Sequence, residues 1–518
     1  MSGWDKSAIT IATFLPVAGA VVIAVMPKEK DRLIRWLGVL FTGAAMVVAI
    51  AIAIGFDYGG HSGLQFELDT SWISAIGARY HVGIDGISLP LYVLTFVLTF
   101  LCAIYTTRYV PEPGRTKAFL GLMLLLETGM AGTFIAFDLV LFFVFWELVL
   151  VPMYFLIGIW GSANREYASI KFFLYTVFGS VFMLLGFLGM YFRSDISNAP
   201  GLQHSFDIVQ LQAFGGAGGF SHGFQLVVFA AVALGFAVKV PMWPFHTWLP
   251  DAHTEAPTIG SVLLAGIMLK MGTYGFIRIA LPVLPYGAQK FAPWIGLLAA
   301  IAIVYAALAC LAQKDLKRLI AFSSVGHMGF VMLGIATLTT IGIQAAIFGM
   351  VAHGVITGML FFCVGSIYDR YHTREIADIG GGMMQNVPKL AGIFAFVSIA
   401  SLGLPGLAGF WGEVMALLSS FNPASGQNVG LFRGFMVAGG IGTILTAGYF
   451  LWMLQRVNLG VLPERWKEHR FSDMLAVEWW AWMPLLVGIL VLGLYPKIVF
   501  GTSSEAVTAL LHAVGVGG

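Results

Sequence analysis

The sequence predicts an all-α polytopic membrane protein, with about 14 transmembrane helices in two inverted-repeat halves that each contain a broken helix. Three observations lead there. Hydrophobic residues fill 58% of the 518 positions and charged residues only 10%, whereas a water-soluble domain carries about 25% charged residues. Apolar runs of roughly 20 residues, the length that crosses a bilayer as a helix, recur along the whole chain. Two of these runs, "FAVKVPMWP" and "SLGLPGLAGFWGE", are interrupted by proline or glycine beside a lone charged residue.

Helices 1–3 start near Ala8, Leu33 and Ile84 and make an N-terminal group over residues 1–116. Residues 117–280 hold helices 4–8, from Lys117, Leu139, Ser169, Phe224 and Ala256, as the first repeat. Residues 281–460 hold helices 9–13, from Phe291, Leu316, Ile341, Lys389 and Phe432, as the second. A charged loop and helix 14, from Val477, complete the chain over 461–518. The longest polar stretches, 55–83 and 192–223, are too short for a soluble domain, so the chemistry belongs inside the bilayer. Lys and Arg are enriched in cytoplasmic loops. Loops after odd-numbered helices hold nineteen basic residues against seven on the other side, which places them in the cytoplasm and both termini outside. The two basic residues left over are Lys239 and Lys270. "MSGWDKSAIT" has neither the pattern of a signal peptide nor that of a transit peptide, so helix 1 is expected to stay.

An ionisable side chain at the bilayer centre costs about 2.5–3.5 kcal/mol on insertion scales and usually serves ion movement. Here the set is Glu127, Glu147, Lys239, Lys270 and Glu413. Glu147 lies nine residues past Asp138, about 13 Å down its helix and too deep to reach the surface. Pro152 removes the hydrogen bond to the Leu148 carbonyl, a defect that favours a wet pocket. Pro241 and Pro244 likewise are expected to free the carbonyls of Ala237 and Val240 and to break the helix just past Lys239. Burial disfavours a lysine's charged form and a carboxylate within about 4–6 Å favours it. A change in the Glu147–Lys239 distance therefore moves a proton on or off the lysine; a static ion pair is the plainer alternative. Pro405 and the glycines before Glu413 interrupt a corresponding segment of the second half, and paired interruptions of this kind point to midplane ion sites. His327 and His353 lie deep in apolar runs between Lys270 and Glu413 and suit a proton relay. His246 and His253 belong to the interrupted segment as part of a proton entrance, and His61 in an outside loop has no assigned role.

Cys102, Cys310 and Cys363 are scattered without Cys-x-x-Cys spacing, so no iron–sulfur cluster or structural zinc is expected. "IGGGMMQN" follows a membrane helix and reads as a turn rather than a nucleotide loop.

"KVPMWPFHTWLPDAHTEAPT", "FWELVLVPMYFLIGIWG", "IMLKMGTYGF", "DLKRLIAFSSVGHMGF" and "SLGLPGLAGFWGE" resemble the M-type (chain 4) antiporter-like subunits of proton-pumping NADH:quinone oxidoreductase, respiratory complex I. The resemblance runs over nearly the whole chain. The longer L-type subunits carry a lateral helix after the core, and the N-type differ around the lysine helix. The resemblance implies that Glu147 and Lys239 form the glutamate–lysine pair of the first half-channel, and that Lys270 is the central lysine. It further implies that His327 and His353 lie on the central hydrophilic axis, that Glu413 is the acid of the second half-channel, and that Glu127 and His246 have lesser parts. Gly326 stands where the family commonly has serine, so a water is expected in place of a hydroxyl. The implied function is proton translocation in the membrane arm, driven by electron transfer from NADH to quinone. FMN, iron–sulfur clusters, NADH and quinone belong to partner subunits, with no cofactor in this chain. L-type and N-type subunits are the implied neighbours, in a bacterial inner membrane. Two alternatives stay open: a subunit of a multi-chain sodium/proton antiporter, marked by redox-independent cation exchange, and the membrane arm of an energy-converting hydrogenase, marked by nickel.

Overall fold

The computed structural model describes residues 3–59, 63–196 and 203–515; His61 lies outside them. Helices α1 (Gly3–Val25) and α2 (Asp31–Gly55) open the chain. An antiparallel hairpin of β1 (Gln65–Ile73) and β2 (Ala78–Ile84) leads into α3 (Ser88–Thr106) and α4 (Thr116–Ile135). Next come α5 (Leu139–Leu148) and α6 (Leu150–Trp160), one span interrupted at Val149, then α7 (Arg165–Arg193) and the short α8 (Ile208–Gly216). The first broken helix is α9 (His222–Lys239) followed by α10 (Trp248–Glu255). Beyond it run α11 (Thr258–Val283), α12 (Pro285–Leu311), α13 (Leu316–Ala336) and α14 (Thr340–Tyr371). The second broken helix is α15 (Pro388–Ser401) and α16 (Ala408–Phe421). Finally come α17 (Val429–Val457), α18 (Ala476–Leu494) and α19 (Lys497–Val514).

Thirteen helices among the described residues are long and apolar enough to cross a membrane. The fourteenth run read from the sequence, from Lys389, is the one split between α15 and α16. Burial sorts the spans: α11 is wholly enclosed, whereas α2 shows most of its surface outward. Polar groups without hydrocarbon-phase partners are costly, and α11, α13 and α14, the most enclosed spans, hold Lys270, His327 and His353. Helices in a bilayer associate through small residues that let backbones approach. Gly179 and Gly186 of α7 receive Gly235 and Val232 of α9 in this way, and Gly412 of α16 lies directly on Gly349 of α14.

The first break differs from its expectation in one respect. Ala237 keeps a partner, because the Met242 N–H donates to its carbonyl at 2.9 Å, and the Trp248 indole N–H donates to the Val238 carbonyl at 2.9 Å. Chain and side chain fold back onto the open helix end, as buried backbone groups require. At the second break, Gly403 and Gly406 have φ of +86° and +90°, a backbone region that glycine enters without steric cost.

The hairpin and α19 are additions to the sequence reading. The hairpin is tied down by His81, whose Nδ1 is 2.5 Å from Asp207 and whose Nε2 is 2.8 Å from Glu67. Asp207 also caps α8, and Asp138 caps α5. Desolvation disfavours the imidazolium, but the hydrogen bonds to Asp207 and Glu67 and the charges of Asp207 and Asp69 outweigh it and raise the His81 pKa. A raised folded-state pKa gives stability that is complete below the unfolded value of about 6.5 and is lost as pH climbs through the folded value. Amide-exchange protection in β2, corrected for the intrinsic rate, should therefore fall as pH rises through that window and become pH-independent in His81→Gln. A flat wild-type profile would remove the anchor.

Candidate functional site

Lys270 sits on the wholly buried α11, just after a π-helical turn over Leu264–Met268. Such turns leave carbonyls out of register and are frequent at functional sites. Here the Lys270 amine donates to the carbonyl of Ala265 and reaches His353 Nδ1 on α14 at 2.7 Å. An amine donating into Nδ1 leaves the neutral ring's proton on Nε2. That nitrogen has no protein partner and borders a cavity of about 30 Å³. The cavity is also lined by His327, Thr357, Ser401 and Glu413, and it is roomy enough for one water.

His327 on α13 lies 5.8 Å from His353, ring centre to ring centre. Its Nδ1 is 2.9 Å from Glu413 Oε1 and its Nε2 is 3.0 Å from the Ser401 hydroxyl. The carboxylate fixes the proton on Nδ1, so Nε2 accepts from Ser401. Glu413 Oε2 and the Thr357 hydroxyl remain unpartnered beside the same cavity. The Gly349–Gly412 contact brings α16 close enough for Glu413 to reach it. Lys270, His353, His327 and Glu413 thus form one buried row across α11, α14, α13 and α16.

The first half is looser. Glu147 and Lys239 make no direct ion pair, so they are not held as the static pair that was the plainer alternative. The Lys239 amine stands 5.2 Å from the centre of the Trp146 ring, within cation–π range. The Trp146 indole N–H donates to the Ser180 hydroxyl at 3.0 Å. The Glu147 carboxyl acts on Lys239 across the remaining gap, and its Oε1 has no partner. His246 is buried against Tyr305, ring centres 5.0 Å apart, with Nδ1 unpartnered. Glu127 stands apart from the row: it is fully buried in α4 with both carboxyl oxygens unpartnered.

The family described as "NADH:quinone oxidoreductase/Mrp antiporter, TM" matches residues 136–439. "NADH-quinone oxidoreductase subunit M" of Rhodobacter capsulatus is 43% identical, over 98% of this chain and 97% of that one. The subunit of the same name from Rickettsia prowazekii (strain Madrid E) is 40% identical, over 97% and 98%. The chain belongs to the NADH-quinone oxidoreductase subunit M family. A chain of "Respiratory complex I from Thermus thermophilus with bound NADH" superposes with a TM-score of 0.84 at 27% identity, covering 98% of this chain and 100% of that one. The subunit M family makes the chain a component of an oxidoreductase complex, a multi-pass membrane protein whose other subunits are its partners.

Several buried charges of this subunit M family member escape the sequence reading. Arg278, counted among outside-loop residues, lies in α11 and pairs with Asp85, both Asp85 oxygens accepting from Nη2 at 2.7 Å. Arg370 grips Glu478 through two hydrogen bonds, at 2.9 and 2.8 Å. At the end of the bundle away from the hairpin, a cavity of about 460 Å³ is bordered by Glu112, Glu255, Lys317, Asp369 and Arg374. Two residues before Glu255, the ring of His253 is fully buried and stacked on Phe361, with neither ring nitrogen partnered. Lys317 and Lys270 are its charged neighbours. An apolar run with a charge in it was the available signal for Arg278; its partner is far away in sequence. Among the described residues no group of three or more His, Cys, Asp or Glu could hold a metal ion.

Proposed function

We propose that this chain is the proton-translocating, antiporter-like subunit of the membrane arm of NADH:quinone oxidoreductase, complex I, in a bacterial inner membrane with both termini outside. It carries no redox centre. FMN, iron–sulfur clusters, NADH and quinone are held by partner subunits, and L-type and N-type antiporter-like subunits are its neighbours. Residues 117–280 and 281–460 act as two half-channel repeats.

The observation that carries this reading is the continuous row from Lys270 through His353 to Glu413, with the small cavity at its centre. A proton taken up from the large cavity passes His253 to Lys270. Lys270 gives it to His353 Nδ1, and the Nε2 proton leaves through a water in the small cavity to Glu413 Oε2. His327 orients Glu413, and Ser401 orients His327. In the first half, quinone reduction elsewhere in the complex shifts Glu147 relative to Lys239, with His246 on the uptake side. At an effective dielectric of about 20, bringing two charges from about 8 Å to about 4 Å is worth about 2 kcal/mol. That changes the lysine's proton affinity more than tenfold. Glu127, apart from the row, is a reserve acid of lesser weight.

The test is Lys239→Ala in the native host, with NADH-driven quinone reduction and proton uptake measured in the same vesicles. Both activities are expected to fall together in assembled complex. Normal values for both, with sodium/proton exchange lost, would instead identify an antiporter subunit.

A further inference from the structure

We propose that Asp85 and Arg278 form a proton seal that closes the hairpin end of α11 and keeps protons on Lys270 from leaking out there. This rests on the proposed proton row. Arg278 lies eight residues beyond Lys270 on the same helix, about 12 Å nearer the hairpin end. Anything that carried protons along α11 in that direction would short-circuit the route through His353.

The pair is built as a dead end. Proton hopping needs groups that can both accept and release a proton, each with a free donor or acceptor. Arginine stays protonated at all working pH and cannot release its proton. Asp85 Oδ1 is occupied by the N–H groups of Ile87 and Ser88, both at 3.0 Å, by the Ser88 hydroxyl at 3.1 Å and by Arg278 Nη2. Arg278 Nε donates to the Tyr274 hydroxyl at 3.1 Å, and that hydroxyl in turn donates to the Phe134 carbonyl at 2.8 Å. The guanidinium lies over the rings of Phe137 and Tyr274, at 4.8 and 5.3 Å. Tyr274, between Lys270 and Arg278, therefore has its hydroxyl committed in both directions.

The surroundings close the site from outside. The Gln212 amide of α8 donates to the Arg278 carbonyl at 2.8 Å. Gly86, next to Asp85, lies so close to α19 that a Cβ there would stand 1.9 Å from the Thr502 carbonyl oxygen. Both Asp85 and Arg278 are buried. A static clamp would use the same contacts, so the distinguishing property is proton conductance.

The experiment uses the intact complex in sealed vesicles, with a pH step imposed in the absence of NADH and its decay followed by a trapped pH dye. Arg278→Gln leaves the Asp85 carboxyl able to take up and release protons. Its pH step should decay several-fold faster than wild type, while NADH:quinone reduction persists with fewer protons moved per electron. Asp85→Leu combined with Arg278→Met replaces the pair with apolar bulk, a change that buried ion pairs often tolerate, and should be as tight as wild type. A tight Arg278→Gln, or a leaking double variant, overturns the seal. If Arg278→Gln does not assemble, Arg278→Lys takes its place, since an ammonium keeps a positive charge beside Asp85 but can release its proton and should likewise speed the decay. A tight pH step in that variant overturns the seal equally. A wild-type complex that fails to pump would instead count against the proton row itself.

Discussion

Lys270→Met is expected to abolish proton transfer along the buried row and to lower coupled NADH:quinone reduction at least a hundredfold in complex that still assembles. The amine is the group that touches His353 Nδ1, and a thioether in its place would offer no donor. Losing a positioned acid–base group costs typically 10²–10⁴-fold. Lys270→Arg sharpens the test, because a guanidinium can hold the charge and donate to His353 yet cannot give its proton up. Both variants should fail if the amine exchanges protons. Only the methionine variant should fail if the amine merely positions His353. Proton uptake and quinone reduction in inverted vesicles, normalised to assembled complex, give the answer; normal pumping in Lys270→Met removes the lysine from the row.

The largest stability effect is expected at Arg370. Arg370→Met leaves the Glu478 carboxylate buried without its counter-ion, in a place where Glu478 has no exposed surface. Breaking a buried pair from one side typically costs about 3–5 kcal/mol. Two further Arg370 hydrogen bonds, to the carbonyls of Ser472 at 2.8 Å and Asp473 at 2.6 Å, would go with it. Those bonds hold the loop before α18, so the loop should become protease-sensitive and the content of intact complex should drop on native gels. Arg370→Met with Glu478→Met should recover most of the loss. Undiminished assembly in the single variant would show that the pair adds nothing.

The chemistry of the site was legible because a charge in an apolar run stands out. Lys239, Lys270, His327, His353 and Glu413 all stand out on that ground, and the proline and glycine breaks around Lys239 and Glu413 fall where expected. Partner choice was not legible. Lys270 and His353 are 83 residues apart, and His327 and Glu413 are 86 apart, so their contacts depend on how four helices pack. The Trp146 ring beside Lys239, on the residue before Glu147, carries no charge to notice and was not legible. Arg278 was misplaced for another reason: it lies near the end of a long apolar run, where a positive charge reads as a loop anchor until Asp85 is seen against it. The hairpin and α19 were lost to hydropathy itself. In α19 only one face, from Val499 and Ser503 through Ala506, Val507, Leu510 and Leu511 to Val514, is buried, and averaging over the polar face hides it.

The row from Lys270 to Glu413 runs across the bundle, with Lys270, His327 and His353 each near the middle of their helices. A charge that moves perpendicular to the membrane normal crosses almost none of the transmembrane voltage. Displacement along the normal is worth about 2.3 kcal/mol per charge per 100 mV for the full thickness. On the proposed route, membrane potential should therefore act on the uptake and release of the proton at the two faces, while transfer along the row from one half of the subunit to the other should be electrically silent.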